Sequence, residues 1–387
     1  MSPPHEPSSN PRKVVRTPGG HWAFVPEPLP PILDFDPTLR LRLAEAERSL
    51  GRLADLRSRL PSPEFPTRLL LRREAILSSR LDDLPTSSQD LVLFEARPST
   101  KGGASDVRQV ANHVRALEHG LGACLGQPVT LELIRVLHRI LMKGVRSEHQ
   151  TAGQFRKTRR PVDPPGCMEP AALLPPPVRE MRAALAALEK HLREPSDLPP
   201  LVRVALIHSQ FEMIHPFLEG NDRVGRMLIA LLLRAWGLLP CPWLCLSAHF
   251  LRHREEYYGR LVAASEPDEW EEWVGFFLRG VTHQSRDSLR RVLEMQGLRD
   301  NLLARLRRSP FRLPLVALVE GLFERPALTV VAAARRLRVT GREAKHFIHL
   351  LVDAGVLSAE AGSDGEVVFV ARDIVRTIDE NPRPGRS

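Results

Sequence analysis

The chain has 387 residues, 43% of them hydrophobic and 26% charged, which is the composition of an ordinary soluble protein with enough apolar side chain for a substantial core and two or three domains. Four cysteines exclude a dense disulfide framework, and the strongest apolar run, Met227 to Leu233, is closed by Arg226 and Arg234 and is too short to span a bilayer. A formal charge of +9 raises the expectation of an acidic partner such as nucleic acid, nucleotide or a membrane surface, although arginine enrichment along the whole chain accounts for much of the excess.

The start, Met-Ser-Pro-Pro-His-Glu, lacks an apolar leader, so a cytoplasmic protein with no membrane partner is expected. Proline density over residues 1–35 blocks helix and central strand and predicts an extended arm, with Trp22 and Phe24 as its anchors. Leu39, Leu43, Ala46, Leu50 and Leu53 predict an amphipathic helix over 38–59, and a second helix follows over 67–82 after a proline-rich break. Two more are predicted between 106 and 143, with His113 and His138 as packed rather than ligating histidines.

Gly153-Gln-Phe-Arg156 precedes an irregular, proline-rich stretch to Pro177, in which residues 153–160 suit a short strand. Helices return at 178–194 and at 201–213, the latter with Leu201, Val204, Ala205 and Phe211 at helical spacing. Cys241, Cys245, His249 and His253 have the residue types of a zinc site, but the spacing is not that of a finger and Pro242 disturbs the helix that would align them.

Between two helical runs lies His215-Pro-Phe-Leu-Glu-Gly-Asn-Asp-Arg-Val-Gly-Arg226. Pro216 ends the preceding helix, and Val224, Met227, Leu228 and Leu231 begin the next, which Gly237 stops. Gly220-Asn221 therefore falls at a helix N-terminus, where free N–H groups and the positive dipole end favour an anion. Arg223 and Arg226 share a helix face and reach the same anion. Glu219 suits a hard cation such as magnesium, and His215 suits a general base near neutral pH. Each feature alone has a bland explanation: a helix stop, a turn, a solvated arginine face. Together they point to phosphate-transfer chemistry.

This string resembles the signature of the Fic family, matching at His215, Phe217, Glu219, Gly220, Asn221, Arg223 and Arg226 and departing at Asp222, where the family has Gly or Lys. The resemblance implies transfer of AMP from ATP, with Mg2+, to a Ser, Thr or Tyr hydroxyl of a target protein. In that reading His215 is the base and Glu219 the metal carboxylate. Gly220, Asn221, Asp222, Arg223 and Arg226 contact the nucleotide, with Asn221 and Arg223 also catalytic. It further implies that the helix over 67–82 is of the inhibitory type, with Ser78 at its serine position and Asp82 where the family has the glutamate that pairs with the second arginine, here Arg226. The stretch after Gly153 would be a β-hairpin flap that docks the target by strand addition.

The expected fold is mostly α: a proline-rich arm at 1–35, an N-terminal helical segment at 36–105, a Fic-type helical core with a small β-hairpin flap at 106–290, a linker helix at 291–310, a winged helix-turn-helix domain at 311–378 and a tail at 379–387. In the winged domain Thr329 caps one helix, Arg342 to Ala354 form the next, and Glu366 to Ala371 form a wing strand, so Arg342, Lys345 and His346 would face a DNA groove. The other reading of that domain is a homodimer or partner contact. Asp222 sets a carboxylate beside the anion site, where two unit charges about 4 Å apart repel by about 4 kcal/mol at an effective dielectric near 20. The alternative function is accordingly a catalytically impaired Fic scaffold that acts as a DNA- or partner-binding regulator.

Overall fold

The computed structural model describes residues 14–16, 22–62, 64–98, 105–145, 151–158, 175–264, 269–361 and 367–379. The chain divides into two compact units, one formed by residues 1–51, 115–240 and 249–283 and the other by residues 52–114, 241–248 and 284–387. Both are mostly helical, and no described helix is long and apolar enough to cross a membrane.

The first unit is built around a helix that is buried along nearly all its length. This is α7, Pro200–Ile214, entered at Pro199-Pro200 and buried at Leu201, Val202, Val204 to Phe211 and Ile214. It follows α6, Val178–Arg193, and is followed by α8, Asn221–Ala235. Arg203 of α7 donates to the Glu194 carbonyl at 2.7 Å and lies 4.7 Å from the Trp236 ring centroid, which ties α7 to both neighbours. The helices α4 (Ser105–Ala123) and α5 (Leu131–Leu141) complete the surroundings of α8. Gly120 is required there: a Cβ would stand 2.9 Å from Leu137 and 3.0 Å from Leu231.

An aromatic cluster fills the rest of this core, and its polar tips are satisfied, as buried indoles and phenols require. Trp273 lies on α11 (Trp270–Arg305), and its Nε1–H donates to the Ala205 carbonyl at 2.9 Å. Tyr257 of α10 (Arg254–Ala263) stacks on Phe250 of α9 (Ser247–Arg252) at 4.3 Å.

The N-terminal arm differs from a plain extended strand. Val14–Arg16 (β1) and Trp22–Phe24 (β2) pair antiparallel with Val14 opposite Phe24. Phe24 and Val25 are buried, and the Gln210 side chain donates to the Glu27 carbonyl at 2.8 Å, so α7 fastens the arm. The expected strand at 153–160 is absent over 151–158, and the remainder of the flap region lies outside the described residues. Gly153 takes φ +74°, and Arg156 bonds to the loop at Pro216 rather than to a strand partner.

In the second unit α2, Phe65–Leu81, begins with Pro66 in its first turn and is buried along most of its length. It carries Ser78, fully buried, and ends at the cap residue Asp82; Asp83 follows at φ +55°, a conformation for which glycine is the usual residue. Ser247 donates its hydroxyl and backbone N–H to the Glu74 carboxylate, while Trp243 Nε1 donates to Thr67 Oγ1 at 2.9 Å. A helix not foreseen from the sequence, α3 (Ser88–Ala96), is capped by Ser87, whose Oγ accepts from the Asp90 N–H at 3.0 Å.

The C-terminal part of this unit runs α12 (Arg312–Glu324), β3 (Ala327–Leu328), α13 (Val330–Leu337), α14 (Gly341–Asp353), β4 (Ser358–Ala361), β5 (Val367–Val370) and α15 (Arg372–Arg376). Its three strands are antiparallel in the order β3-β5-β4, with Ala327 opposite Val370 and Ser358 also opposite Val370. Phe323 of α12 meets Phe65 of α2 edge-on at 5.4 Å. Arg73 of α2 donates to the Ile378 and Asp379 carbonyls, and Ser88 donates to the Asp379 carboxylate at 2.6 Å. The helix over 291–305 is not a separate connection but the second half of α11.

Candidate active site

The segment from His215 to Arg226 is a helix end, a tight loop and a helix start. α7 stops because His215 enters the left-handed region at φ 48°, ψ 63°, a rare conformation for a residue with a side chain, and Pro216 then prevents continuation. α8 starts at Gly220, also left-handed at φ 74°. A Cβ at Gly220 would lie 3.2 Å from Leu141 and 3.8 Å from Arg223 Nη2, so glycine is needed for the backbone and for close approach alike.

The loop between these two left-handed residues is fastened from within and from outside. Inside it, the buried Asn221 amide brackets Phe217: Nδ2 donates to the Phe217 carbonyl at 2.8 Å, and Oδ1 accepts from the Phe217 N–H at 2.8 Å. The amide is thus committed to the loop, and what Asn221 offers an anion is its main-chain N–H in the first turn of α8. From outside, His138 of α5 stacks on the Phe217 ring at 3.8 Å and 6°. Its Nδ1 accepts from the Gly153 N–H at 2.9 Å, so its Nε2 carries the proton and donates to the Glu219 carbonyl at 3.0 Å. Burial first, and the Arg223 charge after it, push the His138 pKa down to about 4, which keeps this tautomer neutral.

Arg156 completes the clamp. It is buried, its Nε–H donates to the His215 carbonyl at 2.9 Å, its Nη2 donates to the Pro176 carbonyl, and its N–H bonds to the Pro216 carbonyl at 2.9 Å. Gly153, three residues before it, is required there, because a Cβ would stand 2.9 Å from the Arg135 carbonyl. Sequence reasoning singled out Gly153 and Arg156 only as the edge of an irregular stretch and took His138 as core packing. The signal for Arg156 was a charged residue in a segment with no helix of its own to solvate it.

The side chains aimed at chemistry are gathered here. His215 keeps part of its surface exposed, yet burial of its surroundings lowers its pKa; Asp222 opposes that shift, Arg156 reinforces it, and a hydrogen bond to the Glu212 backbone partly offsets it. The ring is therefore held towards its neutral, proton-accepting form. Arg223 and Arg226 are both buried in the first turns of α8, and Arg223 folds back towards Gly220. Asp222, immediately before Arg223, is half-buried, and Glu219 is exposed.

Behind α8, His208 fixes the helix start. Its Nδ1–H donates to the Gly225 carbonyl at 3.1 Å and its Nε2 accepts from the Tyr257 hydroxyl at 3.0 Å. Complete burial drives its pKa down to about 3 and that of Tyr257 well above the usual value. A Cβ at Gly225 would sit 2.0 Å from a Glu212 carboxylate oxygen, so glycine here leaves room for that carboxylate as placed.

The donor set suits magnesium. An exposed carboxylate, Glu219, projects from a loop whose own carbonyl is immobilised, beside a helix start that attracts phosphate oxygens. Among the described residues no group of three or more His, Cys, Asp or Glu is arranged to hold a metal by protein ligands alone, which includes the Cys241–His253 run.

Residues 128–233 match the Fic/DOC family, and residues 40–122 match the Fic/DOC family N-terminal region. The fold agrees with a crystal structure of a Fic family protein from Desulfovibrio desulfuricans, with a TM-score of 0.56, 18% identity and coverage of 89% of this chain and 98% of that one. Over residues 40–122 and 128–233 the chain is a Fic family protein. A second Fic structure, from Caenorhabditis elegans, aligns with a TM-score of 0.53 at 20% identity over 68% of this chain and 75% of that one. Curated relatives carry the name protein adenylyltransferase. A probable one from Aquifex aeolicus is 26% identical over 197 residues, 51% of this chain and 56% of that protein. One from Caenorhabditis elegans is 31% identical over 109 residues, 27% of this chain and 19% of that protein. The matching stretch thus spans about half of the first relative and a fifth of the second.

Proposed function

We propose that this Fic protein transfers AMP from ATP to a hydroxyl side chain of a protein. The observation that carries the reading is the junction itself: a histidine held towards neutrality at the end of α7 precedes, across a clamped loop, a helix N-terminus with two buried arginines. The curated relatives named protein adenylyltransferase support it. His215 accepts the proton of the target Ser, Thr or Tyr hydroxyl as the oxygen attacks the α-phosphorus. The bond from that phosphorus to the bridging oxygen breaks, pyrophosphate leaves, and the product is an AMP phosphodiester on the protein. The N–H groups at Gly220 and Asn221, Arg223 and Arg226 hold the phosphates, and their preorganised charge does most of the work. Asp222 borders the same phosphates. Glu219 would hold Mg2+, which neutralises phosphate charge when bound.

In this reading Ser78 of α2 and its cap residue Asp82 stand at the positions of the family's inhibitory pattern. Aspartate is one methylene shorter than the family's glutamate, so restraint is weak, and Asp82→Gly raises labelling only modestly. The second reading, an impaired scaffold, rests on one observation: Asp222 is a half-buried carboxylate in the first turn of α8, close enough for its charge to act on His215. One assay separates the two. The purified chain is incubated with α-labelled ATP and Mg2+ beside His215→Ala and Asp222→Gly. Label on protein that disappears in His215→Ala establishes transfer; label only in Asp222→Gly establishes the impaired scaffold.

A further inference from the structure

The second unit presents a cationic helix face that the transfer reaction does not use. α13 and α14 form a helix-turn-helix. Thr329 caps α13 by accepting from the Ala332 N–H at 3.2 Å, Arg338 turns the chain at φ 56°, and a capping box between Thr340 and Glu343 starts α14. Ala344, Ile348 and Leu351 are the buried face of α14. The opposite face carries Arg342, Lys345, His346 and His349, all exposed, at helical spacing i, i+3, i+4, i+7. Four hydrogen-bond donors in a row make a polar surface, bordered by the Phe311 ring 5.4 Å from His346.

Some cations of the same region are neutralised, Arg336 by Glu324 at 3.5 Å, Arg376 by Asp373 at 2.9 Å, and Arg372 by Glu360, while Arg312 and Arg325 have no ion pair among the described residues. Arg335, Arg338, Arg342 and Lys345 have no ion pair among the described residues. Glu343, the carboxylate nearest them in sequence, is turned back onto the Thr340 N–H and hydroxyl at 2.9 and 2.8 Å.

We propose that α14 is a recognition helix for duplex DNA, entering the major groove with Arg342, Lys345, His346 and His349 towards phosphates and base edges. A helix of 13 residues is about 20 Å long and about 10–12 Å across with its side chains, which fits a B-form major groove about 12 Å wide. The deep, narrow major groove of duplex RNA does not admit a helix, whereas a single strand would stack on rings such as His346 and the 41% exposed Phe311, 5.4 Å apart, so single strands form one arm of the test below. The remaining competitor is a second copy or a protein partner, for which Val331 at 66% and Leu313 at 83% exposure would be the contact.

Fluorescence anisotropy of a labelled random-sequence DNA duplex, titrated with the full chain between about 50 and about 200 mM salt, tests this. Binding should weaken linearly on a log–log salt plot, and Arg342→Ala/Lys345→Ala should lower the slope by about two. Arg376→Ala, on the paired arginine, should leave it unchanged, and His215→Ala should bind as the native chain does, which separates this result from the transfer reading. All four side chains are exposed, so circular dichroism and melting of the double variant should match the parent. The proposal fails if no duplex binds at about 50 mM salt, if the double variant binds equally well, if an RNA duplex or single strand competes as strongly, or if the substitutions change molecular mass by light scattering instead of DNA affinity.

Discussion

The Asp222 carboxylate acts on His215 in a direction that is testable without knowing the target. Burial is the main force lowering the His215 pKa, and the Asp222 carboxylate is the main force raising it. The rate of a base-catalysed step falls at low pH as the base takes up a proton. Removing the opposing carboxylate with Asp222→Asn should therefore move the acidic limb of the labelling rate to lower pH, measured with the target or by self-labelling. An unmoved limb would mean that Asp222 does not sense His215. At this scale the sequence was informative: the residue types at 215, 219, 223 and 226 carry chemistry whatever surrounds them. It was not informative about Asn221, whose amide is taken up by Phe217, because which hydrogen bonds a side chain makes depends on where the loop brings its neighbours.

The loop from 215 to 220 is an element without regular structure, held by α5, α8 and the segment at 153–156. Asn221→Ala would strand two buried main-chain groups of Phe217 and should cost about 2–4 kcal/mol in denaturant unfolding. A loop displaced by about 1 Å also loses on the order of a hundredfold in rate. His138→Gln tests the outer clamp: it loses the ring stacked on Phe217 and should reduce kcat more than it raises KM for ATP. Equal effects on both would assign His138 to nucleotide binding instead of loop positioning. Helices were the legible elements, since apolar spacing and caps such as Thr130, Thr329 and Thr340 are local signals. The short α3 and the β1–β2 pair escaped notice. One has little apolar asymmetry, and the other pairs residues that proline density had marked as irregular.

Across the whole molecule the buried histidines set its acid tolerance. Burial lowers His208 and His249 to about 3 and His138 and His191 to about 4 in the folded chain. The unfolded chain takes up a proton at each near pH 6.5 while the folded chain does not, so stability is complete above that pH and falls as pH drops towards the folded values. Fully buried His208 contributes about 2 kcal/mol to that loss by pH 5, and the less buried His191 contributes less because solvent screens it. The melting temperature should fall steeply between pH 7 and 5, and His208→Gln should flatten the slope. By itself, the sequence determined that the chain is mostly helical, that it carries a Fic signature, and which residues bear charge or nucleophilic partners there, because periodicity, caps and motif residues act over a few positions. Tertiary structure alone decided that His138 and Arg156 hold the signature loop, that the Glu212 carboxylate packs against Gly225, and that four cations of the α13–α14 surface lack ion pairs among the described residues. Those facts depend on residues tens of positions apart meeting in space, and no local pattern encodes which cation finds a carboxylate.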